Sequence, residues 1–207
     1  DGDLYAATYR RLFRVFNTEG AVTLYPNVME TLTELKRRGK TLTIASSRSH
    51  SSLADYVENL GLSHIITFIL GAEDVTDGKP APEPVYKTLE KYGFKPEEAL
   101  VVGDTVFDID MGRNAGVRTC GVTYGNGSRE SLSSADFLID DFGQLLDNFL
   151  SLVRGGCQSP VLFIGTDLAI AAVSGAGVLL LFMLLTAFFV ALYIGKKTRD
   201  LLPRDQA

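Results

Sequence analysis

Cysteine is scarce in this chain. Cys120 and Cys157 are the only two, they lie far apart, and neither has metal-ligand spacing. That excludes a disulfide framework and a cysteine-based zinc site, leaves open at most one bridge, and points to a reducing compartment. An excess of basic charge is missing as well: the formal charge is −5, whereas a nucleic-acid surface needs clustered Lys and Arg, so no nucleic-acid partner is expected. No internal repeat stands out, and no charged-then-apolar leader follows Asp1. Because Asp1 is not Met, the simplest expectation is that the beginning of a longer chain is missing, with no secretory signal in view. The 207 residues suffice for one globular domain with a real core plus something extra.

What is present is alternation. Leu4, Tyr5, Tyr9, Leu12, Phe13 and Phe16 fall at near-helical spacing, which predicts one amphipathic helix over 4–16. A second helix is expected over 27–38, with Asn27 as its N-cap and basic residues in its last turn before Gly39. Strand 41–45 leads through Ser46, Ser47, Arg48 and Ser49 into a helix over 51–60, closed by Gly61. Strand 65–70, a polar loop from Gly71 to Pro84 and a helix over 83–92 follow. Strand 100–103, a helix to Asn114, strands 118–122 and 137–139, and a helix over 142–153 complete the pattern. Short connections between alternating strands and helices imply an α/β architecture, a Rossmann-like parallel sheet with helices on both faces.

Beyond Val153 the composition changes. Residues 154–167 read as a linker rich in Gly, Ser and Pro near its start. Residues 168–194 carry no charged side chain, a run longer than the roughly 20 residues that cross a bilayer as a helix, and 195–207 form a basic tail. A single membrane-spanning helix is therefore expected. Small residues four apart, Ala171 with Gly175 and Ala172 with Ala176, suggest a weak homodimer through the span. The cations after Ile194 predict a cytoplasmic C-terminus, while one late span without a leader predicts a tail anchor with the domain in the cytoplasm; the second is preferred.

Chemistry concentrates in Val101-Val102-Gly103-Asp104-Thr105-Val106-Phe107-Asp108, an apolar run that ends in two carboxylates four positions apart. An aliphatic run of this kind reads as a buried parallel strand, which places Asp104 at its carboxyl end, where open α/β sheets bind ligands. Two readings stand: a holder for a hard cation such as Mg²⁺, or an Asp104 helix cap with Asp108 in the first turn. Ser46 reads equally as a capping or turn serine, and Lys79 as a solvated loop lysine.

Together, however, Thr41 to Ser47, Gly78-Lys79-Pro80-Ala81-Pro82 and Val101 to Asp108 resemble, in order and spacing, three motifs of the haloacid dehalogenase superfamily of phosphohydrolases. The likeness is greatest to its phosphoglycolate-phosphatase-like branch and runs from about Tyr25 to Leu152. It implies a Mg²⁺-dependent phosphomonoester hydrolase acting on a small phosphorylated metabolite. Lys79 and Ser46 would be catalytic, Ser46, Ser47 and Lys79 would bind substrate, and Asp104 and Asp108 would hold the metal. It also implies that 1–20 is a remnant of a helical cap and 21–153 the phosphatase core.

One motif of the resemblance is absent. These enzymes carry an Asp nucleophile, with a second Asp two positions on, at the end of a first strand, and nothing like Asp-x-Asp-Gly-Thr occurs before Tyr25. The core is therefore expected to lack its first strand and to be inactive as written. The alternatives are a non-catalytic, membrane-tethered phosphate-binding module and an artefactual fusion. One segment, Val161-Leu162-Phe163-Ile164-Gly165-Thr166-Asp167, has the shape of the missing strand, with Gly165 at the nucleophile position and Asp167 at the acid/base position. The preferred expectation nonetheless leaves it outside the sheet, approaching the bilayer.

Overall fold

The computed structural model describes residues 22–146, 161–165 and 171–172. The chain divides after Ala171 into two units, and the sheet that positions the site lies in the first. Its strands, numbered in chain order after the two-residue β1 (Val22–Thr23), are β2 (Thr41–Ala45), β3 (Phe68–Leu70), β4 (Ala99–Gly103), β5 (Arg118–Val122), β6 (Phe137–Ile139) and β7 (Val161–Gly165). The helices are α1 (Val28–Arg37), α2 (His50–Asn59), α3 (Glu83–Tyr92) and α4 (Val106–Asn114). The six sheet strands lie in the order β3-β2-β7-β4-β5-β6 and every pairing is parallel.

Period-2 alternation along the strands sorts the core into two layers. Leu42, Ile44, Leu100, Val102, Cys120, Val122 and Ile164 pack with Val28, Leu32 and Leu35 of α1 and Leu53 and Val57 of α2. Ala45, Ala99 and Val101 turn the other way, against Val85 and Leu89 of α3 and Met111 and Ala115 of α4. Helices thus cover both faces, which is why the strands read as continuous aliphatic runs.

The middle of the sheet departs from expectation. The segment 161–165, assigned to the linker, is a strand: it pairs with β2 from Thr41↔Val161 to Ala45↔Gly165 and with β4 from Ala99↔Val161 to Val102↔Ile164. A central position without its strand would leave two rows of backbone donors and acceptors unsatisfied, so an aliphatic segment that can reach it fills it. Among the described residues, β7 occupies the position between β2 and β4 that was expected to be empty.

Smaller differences have local causes. Ile65 and Ile66 are buried but precede β3, packing in the turn that follows α2. Asn27 stands at the N-cap of α1 with φ 62°, yet its Nδ2 donates to Asp141 Oδ2 (2.7 Å) and does not cap the helix. Helix α2 begins at His50, one residue earlier than expected, because Ser49 Oγ accepts from the Ser52 amide. Cys120 is buried and free, and burial pushes its thiol up to about 12. Among the described residues no helix is long and apolar enough to cross a membrane. Of the 168–194 run only Ala171–Ala172 are described, and they are extended. The expected helix over 4–16, the rest of the span, the basic tail, Cys157 and the end of the helix expected over 142–153 lie outside the described residues.

Candidate active site

Because all six strands are parallel, the loops leaving their carboxyl ends open on one rim. Strand β4 ends at Gly103 and delivers Asp104, which is 0% exposed, and α4 begins two residues later with Asp108 in its first turn, 2% exposed. Asp104 does not cap the helix. Its Oδ2 accepts from the Asn126 backbone N–H (2.8 Å) and from Asn126 Nδ2 (2.9 Å). Thr105 occupies the cap position, and its N–H and Oγ1–H both donate to Asp108 Oδ2, at 3.2 and 2.7 Å. The first-turn reading of Asp108 holds: one of its oxygens serves the helix start, while the other faces the loop that carries Lys79.

Lys79 Nζ donates to Asp108 Oδ1 at 2.7 Å, with side chains only 11% and 3% exposed. A lysine so enclosed is not a solvated loop residue, and its charge sits against a carboxylate that could not be buried alone. The loop is held from behind by Glu83, at the start of α3, whose carboxylate accepts from the amides of Thr76 (3.0 Å) and Asp77 (2.7 Å). Lys87, one turn along α3, bonds the Glu83 carboxylate, and that bond together with the Asp77 and Thr76 amides draws the carboxyl down to about 2. The Lys79-Pro80 peptide is cis.

Ser46 follows β2 directly and is buried, with its Oγ accepting from the Arg48 amide at 3.0 Å. That bond is turn chemistry, so the turn reading of Ser46 is correct as far as it goes. Ser46, Ser47 and Lys79 also line one cavity of about 250 Å³, closed by Leu70, Gly71 and Pro84 among others. The structure thus brings Ser46 to Lys79, Lys79 to Asp108, and Asp108 to the strand end that bears Asp104. Between them, in register with Ala45 and one residue past the Val102–Ile164 pair, β7 ends at Gly165. Asp167 lies outside the described residues.

The acid pair suits a hard cation. Mg²⁺ takes one or two carboxylates and completes its shell with waters and phosphate oxygens. Asp104, just past the end of β4, and Asp108, in the first turn of α4, are buried carboxylates of the kind such an ion takes, and among the described residues no group of three or more His, Cys, Asp or Glu is placed to hold a metal. Space is tightly allotted: a Cβ on Gly103 would come within 2.6 Å of Asp108 Cγ, and one on Gly125 within 2.8 Å of Asp104 Cγ. Glycine at both positions lets the backbone close on the carboxylates.

Sequence reasoning missed Asn126, Thr105 and Glu83. Asn126 sits between Gly125 and Gly127, a pattern that reads only as a turn, and its bonds to Asp104 span 22 residues. Thr105 and Glu83 had weak local signals, a threonine ahead of a helix and an acid in a first turn.

Comparison with known proteins supports the family that the motifs resemble. The model of the family described as haloacid dehalogenase-like hydrolase matches residues 3–122. A phosphoglycolate phosphatase of Haemophilus influenzae is 37% identical over 125 residues, which are 59% of this chain and 56% of that protein. The pyrophosphatase PpaX of Bacillus velezensis is 34% identical over 140 residues, 65% of each. Among solved structures, a predicted phosphoglycolate phosphatase from Haemophilus somnus superposes with a TM-score of 0.58 at 32% identity, covering 60% of this chain and 56% of that one. The chain spans little more than half the length of the phosphoglycolate phosphatases it matches. With the family model matching well over half of its residues, the chain belongs to the haloacid dehalogenase-like hydrolases.

Proposed function

We propose that this chain carries the core of a Mg²⁺-dependent phosphomonoester hydrolase of the phosphoglycolate-phosphatase type. The observation that carries the reading is the buried 2.7 Å contact of Lys79 with Asp108, at the rim where Ser46 opens into the same cavity as Lys79. Phosphoryl transfer asks a protein chiefly to position the group and to balance the charge on its oxygens. Ser46 and Ser47 supply hydroxyl and amide donors to a phosphate, and Lys79 adds a compact positive charge. Asp104 and Asp108 would hold Mg²⁺, which when bound neutralises phosphate charge. The relatives named above support a small phosphorylated or pyrophosphoryl substrate.

Turnover through an aspartyl-phosphate needs a carboxylate at the end of the central strand, and Gly165 stands there. The chain is therefore expected to bind inorganic phosphate together with Mg²⁺, to lose at least tenfold in that affinity as Lys79→Ala, and to hydrolyse p-nitrophenyl phosphate negligibly. Absence of Mg²⁺-dependent phosphate binding overturns the hydrolase reading. Metal-dependent hydrolysis that the Lys79 variant abolishes overturns the inactivity alone.

Attachment to a membrane through 168–194, with the domain on the cytoplasmic side, is part of the same proposal and rests on the uncharged run. Release of the full chain from cell membranes by alkaline carbonate would refute it.

A further inference from the structure

The segment Gly125-Asn126-Gly127 is wrapped around Asp104 more closely than a connecting turn requires. Asn126 sends its backbone N–H (2.8 Å) and its Nδ2 (2.9 Å) to one oxygen, Asp104 Oδ2, and the Gly127 amide donates to the Asp104 carbonyl at 2.7 Å. Both flanking glycines are required by contact: a Cβ on Gly125 would press on the Asp104 side chain, and one on Gly127 on the Asp104 carbonyl. Asp104 is wholly buried, whereas Asn126 is an exposed residue. An ordinary surface turn has no reason to spend a side-chain amide, two backbone amides and two obligatory glycines on one buried acid.

We infer that Asn126 is a positioning residue for the metal-ligating carboxylate of Asp104. This inference rests on the proposed metal role of Asp104 and adds to it the device that fixes the carboxylate. Two N–H donors converging on Oδ2 set the rotation of the carboxylate about its Cβ–Cγ bond. A ligand held in its binding orientation before the metal arrives loses less freedom on binding. Outer hydrogen bonds to metal ligands typically contribute about 10- to 100-fold in metal affinity.

The test is Mn²⁺ binding to the full chain, followed by electron paramagnetic resonance, in the natural protein and in Asn126→Ala, Asp104→Asn and Asn59→Ala, the last an exposed asparagine at the end of α2. The expected result is at least a tenfold weaker Mn²⁺ affinity in Asn126→Ala at an unchanged melting temperature, with Asn59→Ala like the natural protein. A purely structural turn residue would lower the melting temperature and leave Mn²⁺ affinity as it was, which would overturn the inference. Loss of binding in Asp104→Asn alone likewise refutes the role of Asn126 and leaves the metal site standing. No Mn²⁺ binding by the natural protein removes the metal site itself. Should Asn126→Ala fail to fold, the natural protein still decides: Mg²⁺ should shift the Asn126 side-chain amide resonances, and amides that do not move with saturating Mg²⁺ overturn the inference.

Discussion

Lys79 and Asp108 form a pair in which neither member can be removed alone without consequence. With side chains 11% and 3% exposed, each supplies the charge that lets the other be enclosed. Breaking a buried pair from one side costs about 3 kcal/mol or more, because the remaining charge stays desolvated. Lys79→Met should therefore lower unfolding free energy in urea by about that amount. Adding Asp108→Asn to it should cost less than the two single changes summed. Additive effects would mean that the 2.7 Å contact contributes nothing of its own. Residue-scale chemistry was only partly legible beforehand. Lys79, Ser46 and the acid pair were found because they lie in short motifs of fixed order. Asn126 was not, since a polar residue between two glycines has the same appearance whether or not a buried carboxylate lies beneath it.

At the scale of an element, helix α3 acts as an anchor for the loop before it. Glu83 gathers the amides of Thr76 and Asp77 and the Lys87 ammonium, so the loop that presents Lys79 is tied to the first turn of a helix already fixed by Val85 and Leu89. Its carboxyl is lowered from 4.5 to about 2, by the Lys87 bond first and the loop amides after it. A depressed carboxyl stabilises the folded chain above its unfolded value, and that contribution is lost as pH falls from 4.5 toward about 2. Glu83→Gln should speed hydrogen exchange at the Thr76 and Asp77 amides at pH 7, and the natural protein should approach the variant as acid is added. Equal exchange rates at pH 7 would show that the loop is held by other means.

For the molecule as a whole, the decisive element is β7. Ile164 is 1% exposed, in register with Ile44 of β2 on one side and Val102 of β4 on the other, in the same core layer. Ile164→Ala should cost about 2 to 5 kcal/mol, read from the denaturant midpoint. A change within about 0.5 kcal/mol, the range of ordinary surface substitutions, would mean that β7 does not carry the middle of the sheet. The alternation of strands and helices, the parallel sheet and the two helical layers were all legible, since each rests on local periodicity. The place of β7 was legible only as the reading not preferred. Val161 to Ile164 has the shape of a central strand, but it borders a long uncharged run, and an apolar tetrapeptide there has the same pattern as the approach to a span. Only pairing with strands made much earlier in the chain distinguishes the two, and pairing partners are not written in a local pattern.

Among the described strands of the sheet, the one that lies between β2 and β4 comes last in the chain. Strands β2 and β4 are made well before residues 161–165, and on their facing sides each carries a row of backbone donors and acceptors that β7 pairs. Closure by so distant a segment makes for slow folding and a long exposure to chance partners.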